Sequence, residues 1–189
     1  MIPRSPTGVA YLPDGSIGAP PAPSPPRSMG ATALLFAGVF LLLQWGWSAC
    51  RNTWVERLVI HDATVAPAAT LIRILSPEIP ARAVAARIQA PGGGLNILNG
   101  CEGIEIMFLL IAAFAAVRLG WRRRLLGLAA GLALAYVLNQ ARILALFHAA
   151  RADPALFDLL HTAVLPAAVV ALMALYFHAC LQPPTTPEG

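Results

Sequence analysis

Lysine is absent from this chain of 189 residues, and charge of any kind is scarce at 12%, against roughly a quarter in an ordinary soluble domain. With 58% hydrophobic residues and a mean hydropathy of +0.68, that scarcity excludes a soluble globular domain and places the chain in a lipid bilayer. The net charge of +4 rests on arginine alone. Arg118, Arg122, Arg123 and Arg124 crowd between two apolar runs, a density that marks a cytoplasmic loop and argues against a nucleic-acid surface. Cysteine is nearly absent as well: Cys50, Cys101 and Cys180 form an odd set without C-x-x-C spacing. No disulfide framework, metal site or cofactor is expected from them.

Proline, by contrast, is plentiful and unevenly spread, filling the first 28 residues and the closing PPTTPEG. Residues 1–30 are expected to be a disordered, Pro-rich cytoplasmic tail and 182–189 a second disordered tail. A single membrane-embedded domain over 31–181 lies between them.

The predicted fold class is an all-α integral membrane protein with about four transmembrane helices, each needing about 20 mostly apolar residues. The candidates are 31–49, 103–121, 125–149 and 162–181. A cleaved signal peptide is a poor account of the first, because Trp45 and Trp47 stand where small residues would precede cleavage. The connection 50–100 is interrupted by His61, Asp62, Arg73, Pro67, Pro77 and Pro80, which suits short interfacial helices. Within it, ARIQAPGGGLNIL reads as a β-hairpin turning at PGGG. If the WRRR loop is cytoplasmic, this connection is extracytoplasmic, and both tails face the cytoplasm.

Against this apolar background stands NGCEGIE, residues 99–105, at the mouth of the second apolar run. The topology brings Cys101, Arg142 and His161 to one membrane face on three helix ends. A thiol becomes nucleophilic as thiolate, an imidazole serves as base and then acid, and a guanidinium can hold an oxyanion. Each residue also has a structural reading: packing for the cysteine, snorkelling for the arginine, headgroup contact for the histidine. Arg142 weighs most, because Asn139 shares its face inside an apolar span. Glu102 and Glu105 suit a helix first turn. Asp158, three residues before His161, can orient the imidazole or cap a helix N-terminus. Cys50 lies at the same face as Cys101, within reach of a disulfide in an oxidising compartment.

NGCEGIEIMFLL, LNQARILALFH and FDLLHTAVLP, in this order on successive helices, resemble the Cys, Arg and His motifs of the exosortase/archaeosortase family. The likeness covers about 90–180. It implies a membrane cysteine transpeptidase with Cys101 as nucleophile, Arg142 as transition-state stabiliser and His161 as acid/base; Asn99, Glu102, Asn139 and Asp158 are candidate supporting groups from the reading of the residues themselves. The implied partners are the bilayer and exported proteins that end in a sorting signal, made of a short motif, a transmembrane helix and basic residues. Cleavage would run through a Cys thioester at the outer face of the bacterial cytoplasmic (inner) membrane. The acceptor is left unspecified, and hydrolysis would use the same trio. Glu102 stands where family members commonly carry a small residue, and the chain is a compact form. Two other function classes compete: a transporter, which would place polar residues at mid-membrane depth, and a structural docking subunit, which leaves Arg142 unexplained.

Overall fold

The computed structural model describes residues 28–97 and 101–182. Its elements are α1 (Met29–Ala49), α2 (Trp54–Leu75), β1 (Arg82–Val84), β2 (Arg87–Ala90), β3 (Gly93–Asn96), α3 (Ile104–Ala116), α4 (Trp121–Ala152) and α5 (Pro154–Leu181). Four helices, α1, α2, α4 and α5, are long and apolar enough to cross a membrane. The all-α membrane class and the count of four long apolar helices agree with the sequence reading, with α2 rather than 103–121 among the long ones.

The expected interfacial helices after residue 50 are instead one continuous helix, α2, of 22 residues. The expected span 103–121 is shorter: α3 has 13 residues, about 20 Å at 1.5 Å per residue, less than the hydrocarbon thickness. It stops because Val117 turns extended and its carbonyl accepts a bond from the Arg124 guanidinium at 2.6 Å, which closes the helix C-terminus with a cation. The last expected span also begins earlier, at Pro154.

Proline misleads over α2 because its cost is removed non-locally. Pro67 cannot donate to the carbonyl of Ala63, and its ring crowds that carbonyl. The helix widens to π register over Leu58–Val65, and the hydroxyl of Tyr136 on α4 donates to Ala63 O at 2.9 Å. The same device recurs in α5, where Leu160–Val164 is π-helical just ahead of Pro166. Pro77 and Pro80 mark the true end of α2, beyond Ser76.

α4 organises the rest. Gly127, Gly131, Ala135 and Asn139 recur every fourth residue and so share one face. A Cβ on Gly131 would lie 2.6 Å from Leu110 Cδ2 on α3 and 2.7 Å from Tyr176 Cε1 on α5. Without a hydrophobic force between helices in lipid, such small residues let neighbours approach closely enough to pack. Leu110, Phe114, Ala135 and Met173 form the resulting core, and Phe114 meets Phe177 edge to face at 5.1 Å.

A second core joins α2, the sheet and the C-terminal half of α4 through Val65, Ile72, Ile88, Leu95, Ile97, Ile143, Leu146 and Phe147. The expected hairpin is present as β2 and β3, antiparallel and turning at Pro91–Gly92. β1 adds a third strand, giving the order β1-β2-β3. Arg151 on α4 ties the hairpin tip down, donating to Pro91 O at 2.7 Å.

Candidate active site

The Cys101 turn is built by its neighbours. Gly103 caps α3 in the left-handed region at φ +78, a conformation that disfavours any residue with a Cβ. A Cβ there would lie 2.6 Å from Asn139 Cγ, so Gly103 is required twice over. Asn139, 4% exposed, packs against it and donates from Nδ2 to the backbone carbonyl of Glu102 at 3.0 Å. The small-residue stripe of α4 thus ends in an amide that holds the Cys101 turn.

His161 arrives from α5, inside the π-helical stretch. Its Nδ1 lies 3.8 Å from Cys101 Sγ, within reach of a sulfur hydrogen bond. Phe157, one turn earlier, stacks on the imidazole with centroids 5.3 Å apart and planes 7° from parallel, which holds the ring plane. The widened turn ahead of Pro166 sets the rotation of His161 about the helix axis, a recurrent use of π-bulges at functional positions.

Arg142, one turn past Asn139, completes the convergence: its charge acts on the Cys101 thiol. Together with Gly103, Glu105, Asn139, Pro166 and Val169 it lines a cavity of about 350 Å³ between α3, α4 and α5. Burial pushes the Cys101 thiol above its ordinary range; Arg142 pulls it down and Glu102 pushes it further up. Glu102 is itself buried, at 7% exposure, and so is more than a solvated first-turn acid.

The other sequence candidates fall differently. Asp158 is exposed, and among the described residues it makes no hydrogen bond to His161. Nor does it cap: Asp153 caps α5, accepting from Ala155 N at 2.9 Å. Asn99 lies outside the described residues. Cys50 is a free thiol at the end of α1. Phe157 and Pro166 are participants the sequence reading passed over. Their signal is positional, an aromatic at i−4 and a proline at i+5 of the histidine.

A family model for transmembrane exosortases (Exosortase_EpsH) matches residues 62–178. The chain belongs to the transmembrane exosortase family. No curated protein and no solved structure matches it. The matched region holds Cys101, Arg142 and His161, together with Gly103 and Asn139.

The electrostatics carry a prediction. A thiol whose pKa is raised is less ionised at neutral pH, so alkylation of Cys101 should accelerate as pH rises through and beyond the ordinary thiol value of 9.0. Glu102→Gln removes a charge that opposes the thiolate. Its pH profile for iodoacetamide modification, measured in a Cys50→Ser, Cys180→Ser background, should move to lower pH; an unmoved profile would remove Glu102 from the electrostatics of the site.

Proposed function

We propose that this exosortase-family membrane protein is a cysteine transpeptidase that cleaves a C-terminal sorting signal from exported proteins. The observation that supports it is the approach of Cys101 Sγ to His161 Nδ1 at 3.8 Å, with the Arg142 charge felt at the same sulfur. Because burial keeps the sulfur protonated at rest, His161 takes the proton as Sγ attacks the scissile carbonyl. Arg142 faces the developing oxyanion with a planar, permanently charged donor fork. The tetrahedral intermediate collapses with loss of the C–N bond, and His161 returns the proton to the departing amine. A thioester on Cys101 remains, and a nucleophilic acceptor deprotonated by His161 then resolves it.

The length of α4 supports the sidedness of this reading. Arg122–Arg124 open this helix, and Arg142 lies about 28 Å further along it at 1.5 Å per residue, close to the hydrocarbon thickness. The arginine cluster at the cytoplasmic face therefore leaves the trio at the extracytoplasmic face of the cytoplasmic membrane. This reasoning does not depend on how many helices cross.

The intermediate provides the test. Reconstituted with excess exported precursor, the protein should carry an acyl adduct on Cys101 that hydroxylamine releases and mass spectrometry detects. His161→Ala should slow both its formation and its resolution. Turnover with Cys101 unmodified throughout would end the covalent reading.

A further inference from the structure

β3 is an edge strand, and the direction of its free edge can be worked out. Ile97 N donates to Ala86 O at 2.8 Å, while Leu95 pairs with Ile88 and Gly93 with Ala90. Bonded and non-bonded pairs alternate along an antiparallel ladder. Gly93, Leu95 and Ile97 therefore turn their backbone groups toward β2, and Gly94 and Asn96 turn theirs outward. Asn96 is exposed and Gly94 half-buried. Among the described residues, nothing pairs with the backbone N–H or C=O of either. An edge of this kind is a template for a further strand.

Three observations say what the template serves. The side chains of Leu95 and Ile97 enter the core with Ile143, Leu146 and Phe147, so α4 packs against that face of the sheet, while Asn96 keeps its exposure. Cys101, Phe157 and Leu160 pack against that same core, which puts the thiol and the histidine-bearing turn of α5 in the corner where β3 ends. Asn96 also precedes Cys101 by only five positions. Gly93 and Gly94 carry no side chains to obstruct an incoming backbone, and a cleft of about 270 Å³ lies between them and Arg87 and Gln89 of β2.

We propose that the substrate segment flanking the scissile bond binds in extended form as a fourth strand on the outer edge of β3, hydrogen-bonded to the backbone of Gly94 and Asn96. Main-chain bonds hold the segment, and its alternate side chains meet the two faces of the sheet. The inference rests on the transpeptidase reading above, since it concerns the peptide that Cys101 attacks. It makes the sheet, otherwise a small ornament on a helical protein, the device that aligns the peptide with the thiol.

The probe is the exported precursor that accumulates in a Cys101→Ala strain. Asn96→Pro deletes one outward N–H while leaving every bond to β2 in place. At matched abundance, processing of the precursor should fall at least about tenfold, while the rate of Cys101 alkylation by N-ethylmaleimide stays unchanged. Ala83→Pro, at the corresponding outward position of β1, should process normally. Processing by Asn96→Pro at the wild-type rate would overturn the strand-addition mode and leave the transpeptidase reading standing. A Cys101→Ala strain that accumulates no precursor would overturn both. A second measurement does not rely on the proline variant folding. In a Cys50→Ser, Cys101→Ala, Cys180→Ser background, Asn96→Cys should form disulfides with single cysteines placed at every second position of the precursor's juxtamembrane segment. Cross-links without that period of two, or none at all, would overturn the proposal.

Discussion

Cys101→Ala is expected to leave exported precursors at full length, with processing reduced by roughly a thousandfold or more, as loss of an activated nucleophile requires. The abundance of the membrane protein should be unchanged, because the thiol is only half-buried and its turn is held by the Asn139 bond to Glu102 O and by Gly103, not by sulfur. The measurement is the mass of the precursor's C-terminus in cells expressing each variant. Cys50 is the only other cysteine that the sequence reading places at this face, so the decisive control carries Cys50→Ser as well. Processing retained in that double variant would show that neither thiol attacks, and would leave the transporter and docking readings.

Arg142→Lys should reduce processing by roughly 100-fold to 1000-fold, the range seen when one donor to a developing oxyanion is removed, again at normal abundance. Lysine keeps the positive charge and the snorkelling reach, so an anchoring role would survive the change. It lacks the planar fork that presents two parallel donors. Arg142 lies one turn from Asn139 and lines the cavity with Gly103, Glu105 and Pro166, which is the ground for expecting its head group to meet the carbonyl oxygen of a peptide attacked by Cys101. Near-wild-type processing by Arg142→Lys would return the residue to the role of an anchor.

Composition alone determined that this chain lives in a membrane, because 12% charge against 58% hydrophobic residues leaves too little polar surface to meet water. The sequence also determined the β2–β3 hairpin, since Pro-Gly is a local turn signal whose backbone angles need no distant partner. The order of cysteine, arginine and histidine, and the small-residue face of α4 that brings Asn139 to the turn, are written in one-dimensional spacing too.

The tertiary structure decided where helices continue or stop and how the site closes. Pro67 reads as a break until Tyr136, from another helix, bonds the carbonyl that the proline leaves. α3 reads as apolar helix to residue 121 until Arg124 closes it after Ala116. The stacking of Phe157 on His161 and the approach of that ring to Cys101 depend on a π-register turn ahead of Pro166. A helix rotates each residue by a fixed angle, and one widened turn resets that angle for everything after it. Periodicity counted along the sequence cannot register that reset, because what stabilises it is contact between residues far apart in the chain.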